Sequence, residues 1–211
     1  MNYKYFLFDW DGSLADTLSI WFEGYKKIFA KHKIEVTNEI IAREVMGDSD
    51  GPVRLGIVDI EEFVAELESE VIDRLNIAKL NSGVFEILTL IKQKGGKIAV
   101  VTASRKRWVK RAFRENGLRE LVDVFLGKED VTYVKPDPES LLKALRLMGG
   151  NASEAIMIGD NGKDISAGKK AGMDTGLYFP NRYEEFYSKE VQERWGATYI
   201  FEDFSELKDL I

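Results

Sequence analysis

The chain has 211 residues, 45% of them hydrophobic and 31% charged, which suits one domain with an insertion and allows a substantial core. Its net charge of −6 leaves no basic surplus to neutralise a phosphate backbone, which argues against a general nucleic-acid binder. Cysteine is absent and His32 is the single histidine, which removes disulfides, zinc–thiolate sites, thiol nucleophiles and Ser–His mechanisms. No apolar run approaches membrane-spanning length, and Asp9 interrupts the N-terminal run too early for a signal peptide; a soluble, cytoplasmic protein is the expectation.

Taken in order, Tyr5-Phe6-Leu7-Phe8 predicts a strand buried on both faces, as in a parallel sheet. It ends abruptly in Asp9-Trp10-Asp11-Gly12-Ser13. Asp9 and Asp11 leave the strand on the same side, and carboxylates that close require a proton or a cation between them. Trp10, between them, points the other way into the core. Helical spacing follows through Leu18, Trp21, Phe22, Tyr25, Ile28 and Phe29, with His32 exposed at the helix end between Lys31 and Lys33. Thr37-Asn38-Glu39 reads as another helix start. The stretch 46–57 carries Gly47, Gly51, Pro52 and Gly56 and reads as a loop, before helical spacing resumes over 61–77. Residues 17–79 therefore predict an all-helical insertion, a small cap domain on a core formed by 1–16 and 80–211.

From Ser82 onward the pattern alternates. Helices are expected over 84–94, 106–115, from Pro138 to Gly149, and up to Gly172. Between them lie the apolar strands Ile98-Ala99-Val100-Val101, Val122 to Leu126, Ala155-Ile156-Met157-Ile158 and Gly176-Leu177-Tyr178-Phe179. This alternation predicts an α/β core, a right-handed, doubly wound parallel sheet of the Rossmann-like kind.

Ligands in such sheets lie beyond the carboxyl ends of the strands. The first strand ends in Asp9, the second in Thr102-Ala103-Ser104, and the fourth in Gly159-Asp160. Asp9, Asp11, Asp160 and Asp164 together form a carboxylate group that needs a cation, and oxygen donors without His or Cys favour Mg²⁺. Thr102 offers a hydroxyl and Lys135 a point charge, both suited to phosphate, and Pro136 and Pro138 stiffen the loop that presents the lysine. Gly159-Asp160-Asn161-Gly162-Lys163 superficially resembles a P-loop, but its glycine spacing is wrong and no Ser or Thr follows the lysine.

In this order, these residues resemble the haloacid dehalogenase superfamily of phosphohydrolases. Asp9-Trp10-Asp11-Gly12-Ser13 matches the first motif, with Ser13 in place of the usual threonine. Thr102 matches the second motif, Lys135 before Pro136 the third, and Gly159-Asp160 through Asp164 the fourth. The helical insertion between the first two resembles the capped, phosphoglycolate phosphatase-like subclass. The resemblance implies a Mg²⁺-dependent phosphatase acting on a small-molecule phosphomonoester, with no nucleic acid or membrane partner, as a monomer or homodimer. It implies Asp9 as the nucleophile forming an aspartyl-phosphate and Asp11 as the general acid, then base. Asp9, the Asp11 carbonyl, Asp160 and Asp164 would hold the metal, Asp164 directly or through its neighbours. Lys135, Thr102 and the amides of Asp11, Gly12 and Ala103 would bind the phosphoryl group.

Asp11 separates phosphate-ester hydrolysis from dehalogenation and phosphonate cleavage, neither of which uses a carboxylate there. A β-phosphoglucomutase-type transferase keeps Asp11 but usually shows an RGxSR-like cap motif that is not found in this chain. A silent phosphate-binding scaffold would need no intact set of motifs, and a receiver domain would be much shorter and lack the helical insertion. Specificity is expected from the loop 47–56, where Arg54 is a candidate for a substrate carboxylate, while Asp48 and Asp50 face solvent. Trp21 and Phe22 read as cap packing or pocket wall, and Arg105-Lys106-Arg107 as a solvated helix face.

Overall fold

Residues 2–211 are described by a computed structural model of the chain; Met1, which begins the expected core segment, lies outside them. The strands are β1 (Tyr5–Phe8), β2 (Lys97–Val101), β3 (Val124–Leu126), β4 (Ala155–Gly159), β5 (Asp174–Tyr178) and β6 (Tyr199–Phe201). They form one sheet in the order β3-β2-β1-β4-β5-β6. Every pairing is parallel. The helices are α1 (Leu18–Lys31), α2 (Asn38–Ile40), α3 (Gly51–Arg54), α4 (Ile60–Asn76), α5 (Val84–Gln93), α6 (Lys106–Glu115), α7 (Glu139–Met148), α8 (Gly162–Lys170) and α9 (Lys189–Trp195).

Both faces of the sheet are covered, as uninterrupted apolar strands require. Phe6, Phe8, Ile98, Val100, Ile156 and Ile158 pack on one side with Val84, Ile87 and Ile91 of α5. Leu7, Ala99, Val101 and Met157 point to the other side, against Leu141, Ala144, Leu145 and Met148 of α7. This is the doubly wound arrangement expected from the alternation. β1 pairs with β2 on one side and β4 on the other, in register at Phe8 with Val100 and Ile158. The carboxyl ends of these three strands, which carry Asp9, Thr102 and Asp160, therefore lie side by side where the strand order reverses.

Between β1 and β2 the chain is helical. The apolar faces of α1 and α4 pack together, with Phe29 and Phe63 ring centroids 4.9 Å apart. Gly24 permits this approach, because a Cβ there would stand 2.5 Å from Val71 Cγ1. Asp59 caps α4, its Oδ1 accepting from the Glu62 amide at 2.9 Å.

Three local features differ from expectation. The stretch 46–57 is not all loop, since Pro52 in the first turn, where its missing N–H is harmless, helps start the short α3. Ile41–Val45 continues α2 as a π-helical turn. At the C-terminal edge, α9 and β6 follow a segment without clear periodicity; β6 is three residues long with Ile200 exposed, so it lacks the apolar run that marks a buried strand. No helix among the described residues is long and apolar enough to cross a membrane.

Candidate active site

At the carboxyl edge of the sheet, Asp9, Lys135, Asp160 and Asp164 are each no more than 5% exposed. The Lys135 ammonium donates to Asp9 Oδ1 at 2.6 Å and to the Val101 carbonyl at 2.9 Å. It also lies 2.6 Å from Asp164 Oδ1. One carboxylate oxygen each from Asp9, Asp160 and Asp164 lie within 4.8 Å of one another. Three buried carboxylates thus face one ammonium, an imbalance that a low-dielectric interior does not tolerate without a proton or a cation.

The acidities reflect this strain. Burial pushes the Asp9 carboxyl up to about 7, with Lys135 opposing the rise and Asp164 and Asp11 adding to it. Asp160 is likewise driven well above the usual range, by burial first and then by Asp164 and Asp9. Burial tends to lower Lys135, but the Asp164 and Asp9 carboxylates outweigh it and hold the ammonium charged. An all-oxygen donor set with surplus negative charge fits a hard divalent cation such as Mg²⁺.

Local folding positions each ligand candidate. Asp164 stands in the first turn of α8, where Asn161 is the N-cap and accepts from the Lys163 amide at 2.9 Å. Its Oδ2 accepts from the amides of Asp160 and Asn161 at 3.2 and 3.3 Å, leaving Oδ1 for Lys135. The Gly159 backbone lies so close that a Cβ there would sit 2.2 Å from Asp164 Cγ. Asp160 Oδ1 accepts from Asn161 Nδ2 at 2.9 Å and Oδ2 from the Tyr187 hydroxyl at 3.4 Å.

The Asp11 carboxylate stands apart from this group. Its Oδ1 accepts from Trp21 Nε1 at 2.7 Å and Thr17 Oγ1 at 2.9 Å, and its Oδ2 from Ser104 Oγ at 2.6 Å. Thr102 Oγ1 accepts from the Ser104 amide at 3.0 Å, closing a tight turn after β2. Asp9, Asp11, Thr102, Ala103 and Lys135 all border one cavity of about 550 Å³, which extends from the sheet edge to α1, α4 and α6.

A sequence model described as "Haloacid dehalogenase-like hydrolase" matches residues 6–177, a span that contains Asp9, Asp11, Thr102, Lys135, Asp160 and Asp164. The chain belongs to this family. Among curated relatives, it is 33% identical to Pyrophosphatase PpaX of Halalkalibacterium halodurans over 116 residues, 54% of this chain and 52% of that protein. The chain thus spans about half the length of that relative. Among solved structures, a hydrolase from Pseudomonas syringae aligns with a TM-score of 0.85 at 20% identity, covering 99% of this chain and 97% of that one. A predicted phosphoglycolate phosphatase from Haemophilus somnus aligns with a TM-score of 0.83 at 20% identity, covering 100% and 98%. These similarities show the shared α/β fold along the whole chain.

Within this haloacid dehalogenase-like site, three expectations need correction. The Gly12 amide does not face the cavity: it donates to the Ala15 carbonyl at 3.0 Å and to Thr17 Oγ1 at 3.3 Å. Gly12 is needed for shape, since its φ is +77° and a Cβ would lie 2.5 Å from Asp160 Oδ2. Arg54 does not border the cavity, because its Nη2 donates to Asp48 Oδ2 at 2.9 Å and to the Glu44 carbonyl at 3.1 Å. Asp48, expected to face solvent, borders the cavity instead, its charge balanced by Arg54 and Lys163.

Arg105 and Arg107 also border the cavity, and Arg107 pairs with Glu68 of α4, so the basic run after β2 is more than a solvated face. Other supporting groups carried no motif. The Tyr183 hydroxyl donates to the Gly12 carbonyl, and Asn81 Nδ2 donates to the Ser13 carbonyl, both at 2.6 Å. Arg182 Nη2 donates in turn to Asn81 Oδ1 at 2.6 Å. Asn81 and Tyr183 lie far from the first strand in sequence, and only the folded chain brings them under its loop. The Ser13 hydroxyl is buried without a partner among the described residues.

Proposed function

We propose that the protein is a Mg²⁺-dependent phosphatase that hydrolyses a small-molecule phosphomonoester through an aspartyl-phosphate on Asp9. The observation that carries this reading is the buried group of Asp9, Asp160 and Asp164 around Lys135, opening beside Thr102 into a cavity. Residues 17–79 serve as a cap over a core made of 1–16 and 80–211.

Asp9, Asp160 and Asp164 would hold the cation, together with the Asp11 carbonyl. When bound, it supplies the charge that lets an anionic carboxylate approach a dianionic phosphate. Asp9 attacks phosphorus in line, forming the aspartyl-phosphate as the ester P–O bond breaks. Asp11 gives its proton to the departing alkoxide, and then takes one from the water that cleaves the aspartyl-phosphate and releases inorganic phosphate. Lys135, the Thr102 hydroxyl and the amides of Asp11 and Ala103 receive the spreading charge on the phosphoryl oxygens. Gly12 contributes the turn that brings Asp160 close. Lys163 Nζ donates to the Met46 carbonyl at 2.5 Å, tying α8 to the cap. Closure of that cap would exclude water during transfer.

The test is hydrolysis of benzyl phosphate and a panel of metabolite phosphates, pyrophosphate included because a relative bears that name, with Mg²⁺ and with chelator. Turnover is expected only with the metal. Absence of Mg²⁺-dependent turnover on every member of the panel would overturn the reading.

A further inference from the structure

The reacting end of the cavity is polar, whereas one side of the remaining wall is a run of aromatic and aliphatic side chains. Beyond Asp9 and Lys135 it is formed by Trp21 and Tyr25 of α1, Phe63 and Leu67 of α4, and Trp108 of α6. The Trp21 ring lies 5.6 Å from Trp108 and 6.1 Å from Tyr25, and Tyr25 stacks with Phe63 at 6.5 Å. These rings come from three helices and form one continuous aromatic wall beginning at Asp11, which Trp21 Nε1 touches. The Tyr25 hydroxyl has no hydrogen-bond partner among the described residues, so a polar atom of a ligand ring can pair with it.

Most of the charges around this wall are paired with one another rather than aimed at a second anionic terminus. Arg107 pairs with Glu68 and Lys163 binds the Met46 carbonyl. Asp48 is held by Arg54 and Glu68 by Arg107, so Glu61 is the acid of this wall without an ion pair among the described residues. Arg54 is held by Asp48 and lies outside. Besides Lys163, Arg105 and Lys128 are the cations bordering the cavity without an ion pair among the described residues, and the Arg105 guanidinium lies 5.7 Å over the Trp108 ring. A guanidinium flanking an indole is a surface on which a flat ring stacks. A cavity of about 550 Å³ also leaves most of its volume unfilled around a ligand as small as phosphoglycolate or pyrophosphate.

We propose that the leaving group of the substrate is a flat aromatic ring carried on a primary alcohol, seated against Trp21, Tyr25 and Trp108. This inference rests on the phosphatase reading and names its substrate class. The phosphoryl group occupies the Asp9–Lys135 end, and the ring lies along the aromatic wall with a polar substituent toward Tyr25.

The test compares esters whose leaving groups are all primary alcohols, so that leaving-group acidity does not decide the outcome. With Mg²⁺ present, kcat/KM is measured for benzyl phosphate and pyridoxal phosphate against ethyl phosphate and phosphoglycolate. The aromatic esters are expected to exceed the aliphatic ones by about tenfold or more, chiefly through KM. Trp108→Ala is expected to lower that aromatic-to-aliphatic ratio about tenfold. Val64→Asn, at a half-buried position of the same wall, provides a second variant should Trp108→Ala fail to fold. Equal or higher kcat/KM for the aliphatic esters, or a ratio unmoved by either variant, would overturn the assignment. No turnover on any ester would strike the phosphatase reading instead. Quenching of tryptophan fluorescence by benzyl phosphate, with ethyl phosphate as control, then still decides the binding preference: tighter binding of the aromatic ester supports the wall, and equal binding contradicts it.

Discussion

Trp21 Nε1 donates to Asp11 Oδ1 at 2.7 Å, so an indole from the first helix of the insertion is bonded to a carboxylate of the core loop. Thr17 and Ser104 complete the set, and three donors from two segments, the start of α1 and the turn after β2, orient one side chain. If Asp11 shuttles the proton, its orientation depends on the insertion being in place. Trp21→Phe keeps the ring but removes the donor. The expected result is a fall in kcat of about tenfold, from the loss of one hydrogen bond to a charged group, with a smaller change in thermal stability. Steady-state kinetics beside a melting curve checks this, and an unchanged kcat would show that Trp21 only packs.

Lys135 is the single ammonium among three buried carboxylates, so its removal tests the charge balance directly. Lys135→Met should destabilise the chelator-treated protein by about 3–5 kcal/mol, because it leaves buried carboxylates unpaired. Added Mg²⁺ should recover part of that loss, since a ligand that binds only the folded state raises its stability. Denaturant unfolding with and without the metal reads both effects. Asp160→Asn in the wild-type background should sharply reduce the Mg²⁺-dependent stabilisation.

Gly12 offers a steric test that leaves every charge in place. At φ +77°, with Asp160 Oδ2 2.5 Å from where a Cβ would stand, Gly12→Ala strains the turn and pushes on a proposed metal ligand. A stability loss of about 1–3 kcal/mol is expected, together with weaker Mg²⁺ binding in calorimetry. Unaltered metal affinity would separate Gly12 from the cation site.

The parts of this molecule that were legible in the sequence are those written locally. β1, β2 and β4 are buried on both faces and appear as uninterrupted apolar runs, and the polar residues that close them stand out for that reason. Asp9, Thr102 and Asp160 were readable because sheet topology brings their strand ends together, while Lys135 reaches them from a loop and Asp164 from the first turn of α8. Arg54 was misread because an arginine on a polar loop looks free, whereas Asp48, six residues earlier, pairs with it. The Gly12 amide was assigned to the phosphoryl group from the family resemblance alone, whereas the turn itself takes that N–H. The Tyr183–Asn81 support and the aromatic wall depend on contacts between distant segments, which leave no periodic signal. β6 is short and partly exposed, and so carries no strand signature.

The central claim is that Asp9 carries the phosphoryl group, and trapping that group tests it most directly. Enzyme mixed with radiolabelled phosphomonoester and Mg²⁺ is quenched in acid within a single turnover, digested, and its labelled peptide sequenced. The account predicts label on the peptide containing Asp9, stable to acid but released by hydroxylamine as an acyl phosphate is, and absent from Asp9→Asn. Label on another residue, or full turnover by Asp9→Asn, would contradict it.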